Sequence, residues 1–411
     1  LKNHITLSFP QSVERESSIF DFQVLIFTGM TIPVNLSKNK LKNSKIDLDY
    51  YSIAYFISPH GYGHAARACA VMAAMHELNP SIRFEIFTTI PQWFFEQSIS
   101  GTFTYHNLLT DIGIVQETPL REDLPETLHK LNNFLPYDES HIMSLSKKMK
   151  NIKCRLIICD ISPMGIVVAQ EAGIPSVLVE NFTWDWVYEN YVSTDFPAGK
   201  FVDYLREIYD DVDYHIQAEP VCCHHNADLN TVPISRKVRA TSQQIRQKLS
   251  IPGGVKVVMI TMGGIPERYL FLKQLTHQSD IHFIIPGGSQ TMRLVDNLAL
   301  LPHHSDFFHP DLINACDAVV GKLGYSTLAE IYHAGVPYGY IPRSTFKESE
   351  VLEEFVKNQM NGCAISVSQF QEGSWVSFLP EILALPGTKR NDPNGAVEAA
   401  QFVCKVLHIK P

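Results

Sequence analysis

From residue 51 onward, short apolar runs alternate with longer stretches of helical spacing, the pattern of parallel sheets covered by helices. The runs SIAYFIS (52–58), FEIFTT (84–89), LIICD (156–160) and SVLVEN (176–181) predict one set of strands. VKVVMIT (255–261), IHFIIP (281–286), DAVVG (317–321) and YGYIP (338–342) predict a second. Between them, IRQKLSIPGG stops a helix at Ile-Pro-Gly-Gly and puts a boundary near residue 250. One phrase occurs in both halves, EAGIPSVLVE at 171–180 and HAGVPYGYIP at 333–342. In each, a glycine suited to a left-handed cap ends a helix, a proline blocks its continuation, and a buried strand begins. The expectation is an α/β protein with two Rossmann-like domains, 51–250 and 251–411, whose parallel sheets face a cleft. The second domain is expected to include a closing helix, AVEAAQFVCKVLHI. Residues 1–50 form an extension to which no role is assigned.

Ligands of open parallel sheets lie outside the carboxyl ends of the strands, so the loops that follow strands carry the candidate chemistry. The first, SPHGYGHAARA (58–68), has Gly61 and Gly63 for a tight turn and opens a helix whose free amides suit an anion. Ala66 fills the third glycine position of a dinucleotide fingerprint, so a nicotinamide cofactor is not indicated. No cofactor of another kind is expected. His64, at the helix start, is either a base or a residue that shapes the loop, and His60 is read as loop structure. In ITMGGIPER (260–268), Gly263 and Gly264 either offer amides to a phosphate or make a plain turn.

In the third loop Gly321 and Gly324 bracket a turn before STLAE. Thr327 and Glu330 have the spacing of a capping box, and the alternative is that Glu330 accepts hydrogen bonds from ribose hydroxyls. Asp160 ends a strand, where it could be a base for a hydroxyl or a cap for the next helix. Trp184 and Asp185 could form a platform for a sugar or lipid head, or a buried aromatic pair with a local acceptor. The run CCHH (222–225) lacks the spaced pairs of zinc sites, so no metal is expected.

The 411 residues are 45% hydrophobic and 19% charged, enough for more than one core. Formal charge is -9, against general attraction to nucleic acid or anionic lipid. The densest basic run, KKMKNIKCR (147–155), reads as a solvated helix end. The 8 cysteines, several within apolar runs, suit reduced thiols. No apolar run reaches the roughly 18 residues of a membrane span, and the N-terminus lacks the order of a secretion signal. A cytoplasmic protein with at most peripheral membrane contact is expected.

Together, GYGHAAR, MGGIP and GYSTLAEIYHAGVP resemble the nucleotide-sugar glycosyltransferases of GT-B architecture, in the branch that adds N-acetylglucosamine to lipid-linked peptidoglycan precursor. CDISPMGIVVAQEAGIP and ENFTWDWVYENY are similar to the glycosyltransferase-like N-terminal half of plant arabinokinase and its bacterial relatives. The resemblance runs from about 51 to 365. It implies an N-terminal acceptor domain and a C-terminal donor domain, in which Glu330 holds the nucleotide ribose and Gly263, Gly264, Gly324 and Thr327 lie near the diphosphate. It further implies that His64 is a base or phosphate contact, and that Arg67 and Arg343 help neutralise the diphosphate without a metal. His303, His304, Asp306 and His309 would border the base. The family commonly has a Glu-Gln or Gln-Gln pair for the donor sugar; here RSTFKESE offers Glu348 and no glutamine.

The implied activity is hexosyl or N-acetylhexosaminyl transfer from a nucleoside diphosphate sugar, foremost a UDP-sugar, to a hydroxyl of a glycan, lipid or small molecule. His64 or Asp160 would take the acceptor proton. The alternative is a catalytically silent nucleotide-sugar-binding regulatory module. A sugar-nucleotide epimerase would need more carboxylates at the sugar than the sequence provides.

Overall fold

The computed structural model describes residues 50–194, 196–264, 267, 269–388 and 390–409, so the N-terminal extension up to residue 49 lies outside the described residues. The strands of the first half are β1 (Tyr51–Ile57), β2 (Ile82–Thr88), β3 (Phe103–Asn107), β4 (Gln116–Thr118), β5 (Arg121–Glu122), β6 (Cys154–Asp160), β7 (Ser176–Glu180), β8 (Tyr214–Ala218) and β9 (Leu229–Thr231). Those of the second are β10 (Lys256–Thr261), β11 (Ile281–Pro286), β12 (Arg293–Val295), β13 (Leu298–Leu301), β14 (Ala318–Lys322), β15 (Tyr338–Ile341) and β16 (Gly362–Ala364).

Two sheets result, β3-β2-β1-β6-β7-β8-β9 and β12-β13-β11-β10-β14-β15-β16, while β4 and β5 form a hairpin of their own. The first sheet is parallel throughout and the second parallel except at β12. Every strand predicted from the apolar runs is present. These are mainly the central strands, whose residues are covered on both faces and therefore read as continuous apolar runs. The edge strands β3 (FTYHN), β9 (LNT), β12 (RLV) and β16 (GCA) are short or partly exposed and give no such signal.

The repeated phrase behaves as expected. Gly173 and Gly335 end the helices Pro163–Ala172 and Tyr325–Ala334 with φ of 66° and 68°, after which β7 and β15 begin. Where β10 and β14 run side by side, a Cβ on Gly321 would sit 2.0 Å from the carbonyl oxygen of Thr261, so glycine permits the two strand ends to converge.

The C-terminal helix Gly395–Val406 departs from the sequence grouping. Ala399, Ala400, Val403 and Cys404 enter the core of the first sheet, packed with the helix Tyr62–Leu78. The chain thus passes between the domains a second time beside its first passage, and there Asn394 Nδ2 donates to Ser235 O (2.9 Å) while Ser235 N donates to Asn394 Oδ1 (3.2 Å). Among the described residues, no helix is long and apolar enough to cross a membrane.

Candidate active site

The carboxyl ends of β1, β6 and β7 face those of β10, β14 and β15 across a cleft with two adjoining chambers. Tyr62, Gly263, Ser326 and Thr327 line both. The loop after β1 turns at Gly61, whose φ is 70°, and starts the helix Tyr62–Leu78. That start carries His64 toward Asp160, the last residue of β6: Nδ1 lies 2.9 Å from Oδ1. A hydrogen on Nδ1 satisfies the carboxylate and leaves the Nε2 lone pair for the chamber that His64 lines.

One helical turn on, Arg67 grips the same carboxylate, with Nε to Oδ2 at 2.9 Å and Nη2 to Oδ1 at 2.7 Å. Burial works against the charged guanidinium, but Asp160 outweighs it and raises its pKa. Arg67 Nη1 donates to Asn181 Oδ1 (2.6 Å), and Asn181 Nδ2 donates to Glu348 Oε1 (2.9 Å). A continuous chain of polar contacts therefore runs from His64 in the first domain to Glu348 in the second. Asp160 is fully buried with its two oxygens engaged, which suits orienting the imidazole rather than meeting an acceptor.

Glu330 occupies the first chamber, and the capping alternative fails. The helix Tyr325–Ala334 starts three residues before the spacing predicts: its N-cap is Gly324, without a side-chain cap bond, so Glu330 falls in the second turn. Its Oε1 instead accepts from Arg236 Nε (2.9 Å), and its Oε2 lies 2.6 Å from His309 Nδ1. Burial would raise the carboxyl pKa, yet Arg236 and then His309 hold it below the usual range. Arg236 comes from the segment joining the domains, stacks over Phe94 and Phe308, and donates to Ser98 Oγ. The chamber's outer rim is shared by both domains: Trp93 stacks on His304 at 4.4 Å, and Gln97 Nε2 donates to Ser305 O at 2.8 Å.

Lys322, at the end of β14, stands where the chambers meet. Its Cε lies 3.6 Å from where a Cβ would sit on Gly263 and 3.8 Å from the corresponding point on Gly324. Gly263 and Gly264 have φ of 70° and 87°, backbone that only glycine takes readily, and the start of the helix Tyr325–Ala334 presents its free amides nearby. Among the described residues no hydrogen bond or ion pair engages Lys322 Nζ. Burial, reinforced by Arg343, pushes its pKa down to about 7 against the opposing pull of Glu348 and Glu122. Burial, with His64, Arg343 and Lys322, also pushes the neighbouring His60 well below its ordinary value.

Arg343 and Glu348 come together in the second chamber, Nη2 to Oε2 at 3.6 Å, with the guanidinium 3.8 Å over the Phe346 ring. Gly61 and Gly63 line that chamber too, as does Arg67. Trp184 and Asp185 do not join them. Trp184 is 1% exposed and packs behind His60 and against Tyr188, while Asp185 opens onto a separate cavity with Arg206, His215 and His225. Phe182 and Asn181 reach the chamber in their place. Lys322, Asn181 and Arg236 had no signal as site residues in the sequence: a strand-end lysine, an asparagine after a strand and a linker arginine are ordinary one at a time. His309, expected in the loop that borders the base, lines the first chamber with His303.

This architecture is that of the GT-B glycosyltransferases. The chain superimposes on the kitacinnamycin glycotransferase with a TM-score of 0.56 at 14% identity, covering 87% of this chain and 99% of that one. Against a UDP-glucosyltransferase from Polygonum tinctorium capable of glucosylating indoxyl, the TM-score is 0.55 at 13% identity, covering 88% and 99%. In sequence, the chain is 28% identical over 360 residues to L-arabinokinase of Arabidopsis thaliana, a match covering 85% of this chain and 34% of the relative. The chain thus spans about a third of that relative's length. No protein-family model matches the sequence.

Proposed function

We propose that the cleft binds a nucleoside diphosphate sugar, a UDP-sugar first among them, and transfers a hexosyl or N-acetylhexosaminyl group to an acceptor hydroxyl. The observation that carries this reading is Lys322, a largely buried cation whose Nζ has no hydrogen-bond or ion-pair partner among the described residues, set beside two glycine turns and a helix start. A diphosphate supplies the missing anion, and helix amides and lysine together meet its charge as the leaving group departs. The nucleoside then lies in the chamber of Glu330 and the sugar in that of His64, Arg343 and Glu348. His64 Nε2 takes the acceptor proton as the acceptor oxygen bonds to the anomeric carbon, whose bond to the diphosphate oxygen breaks with the electron pair leaving on the nucleotide. Asp160 fixes the tautomer and position of the imidazole, and Arg67 holds the Asp160 carboxylate in place. The Polygonum enzyme's UDP-linked activity fits this reading, which includes a cytoplasmic setting and a reaction without a bound metal.

A second reading, a regulatory module that binds the nucleotide sugar without transfer, is favoured by one contact: Glu330 is engaged at both oxygens by Arg236 and His309. The kinase name of the Arabidopsis relative also admits it. Incubation with UDP-glucose, UDP-galactose or UDP-N-acetylglucosamine plus an acceptor extract separates the two. Release of UDP together with a glycosylated product, reduced about 100- to 10,000-fold in His64→Ala with UDP affinity unchanged, is the expected result. UDP binding with no product from any of these donors would leave the regulatory reading, and no nucleotide binding would sink both.

A further inference from the structure

The second chamber is not built by the donor domain alone. The hairpin β4–β5 of the first half, QETPLRE at 116–122, reaches across the cleft. Leu120 at its tip packs against the core of the second sheet, and Thr345 Oγ1 donates to Glu122 Oε2. Gln116 and Glu122 are directly paired across the two antiparallel strands, which puts their side chains on one face of the hairpin. Gln116 lines the chamber.

Buried polar atoms without a hydrogen-bond partner among the described residues gather at this spot: Gln116 Nε2, Glu122 Oε1, and Nε and Nη1 of Arg343. Arg343 itself is 5% exposed and lines the chamber. Leaving such atoms unpaired is costly, and a cluster of them beside a cavity describes the complement of a ligand. The chemistry of that ligand follows from the mixture. Arg343 and Gln116 can only donate from these atoms, whereas the Glu122 carboxylate can only accept. A phosphate or carboxylate would satisfy the donors and repel Glu122. A hydroxyl both accepts and donates, and the 4.0 Å between Arg343 Nη1 and Glu122 Oε1 leaves those two atoms unbonded to each other while a single hydroxyl can bond both.

We propose that the hairpin β4–β5 is a sugar-reading arm, in which Gln116 and Glu122 act with Arg343 on the hydroxyls of the donor glycosyl group and set donor specificity from the opposite domain. This rests on the nucleotide-sugar reading above. It adds that sugar recognition is split between the domains, so the sugar is fully held when the two meet. Glu122 also touches the second domain through Thr345, so its loss could loosen the closed form. Gln116, whose Nε2 has no hydrogen-bond partner among the described residues, is the cleaner probe.

Isothermal calorimetry with UDP, UDP-glucose, UDP-galactose and UDP-N-acetylglucosamine on the full chain, Gln116→Ala and Glu122→Gln tests the proposal. The expected result is an unchanged Kd for UDP in both variants, with the Kd of the best-bound UDP-sugar roughly tenfold weaker or more in Glu122→Gln and severalfold weaker in Gln116→Ala. Sugar affinities equal to those of the parent chain in both variants would overturn it while leaving the nucleotide site intact. If Glu122→Gln weakens UDP as well, Gln116→Ala decides: sugar affinity lost alone supports the arm, and none lost refutes it. A parent chain that binds neither UDP nor any UDP-sugar would remove the nucleotide reading and this one with it.

Discussion

Lys322→Met isolates what the unpaired lysine costs the empty protein and what it contributes to a bound one. The Lys322 pKa is pushed from 10.5 down to about 7 by burial and by Arg343. At about 1.4 kcal/mol for each tenfold change in proton affinity, that displacement sets a ceiling of about 5 kcal/mol on the destabilisation that the charged lysine imposes. The sign is that of a base whose folded pKa lies below its unfolded one. The unfolded chain binds more protons between pH 7 and 10.5, so the penalty is complete below pH 7 and fades as pH rises toward 10.5. Methionine keeps the stem and removes the charge. Urea unfolding should therefore show Lys322→Met more stable than the parent by several kcal/mol at pH 6, with the gap shrinking steadily above pH 7. Nucleotide binding should move the other way. A diphosphate holds the lysine charged, so UDP affinity of the parent should fall by up to about tenfold per pH unit above 7, and the variant should bind weakly with no such slope. Equal stability of variant and parent at pH 6, or a UDP affinity insensitive to the substitution, would refute the placement of a desolvated cation at the diphosphate.

Two further substitutions test the surroundings. Glu330→Gln leaves the buried guanidinium of Arg236 without its counter-charge and should cost about 3–5 kcal/mol by urea unfolding. Because Arg236 and His309 hold the Glu330 carboxyl below its ordinary range, that stability is present above the ordinary carboxylate pKa and lost as pH falls through the folded value, so the variant should lose part of the parent's acid sensitivity. Gly321→Ala drives a methyl into the Thr261 carbonyl at the junction of β10 and β14, and thermal melting should show a loss of about 1–3 kcal/mol or more. A neutral result there would mean that the strands separate easily.

What the sequence made legible was whatever leaves a local signature. Continuous apolar runs gave the central strands, and the Gly-x-Pro returns gave the left-handed caps at Gly173 and Gly335. His64 and Asp160 were picked out because they follow or end strands, and strand ends converge in a parallel sheet, whereas Arg343 and Glu348 came only from the family resemblance. Local spacing misled at Glu330, since the helix begins at Tyr325 and the apparent box at Thr327 lies inside it. The aromatic segment at 184–186 misled for a related reason: in the helix Trp184–Glu189 successive side chains point different ways, so Trp184 turns inward and Asp185 turns to the far cavity. The rest is tertiary. Arg236 meets Glu330 across 94 positions of sequence and Asn181 meets Glu348 across 167, distances over which no periodicity speaks. RSTFKESE has no glutamine beside Glu348, and the glutamine that lines the second chamber, Gln116, comes from the other half of the chain.

The return of the C-terminal helix to the first domain has a mechanical consequence. Two domains joined by one thread can swing and twist about it in any direction. Here two threads run side by side and are tied to each other through Ser235 and Asn394, as a door is hung on two pins. Such a mounting favours one rotation, opening and closing of the cleft, and resists the sideways twist that would carry His64 out of line with Lys322. It also makes the first domain discontinuous: a chain cut after residue 250 would leave the helix Tyr62–Leu78 without the partner that covers it, so the two lobes are expected to fold as one molecule rather than as separable halves.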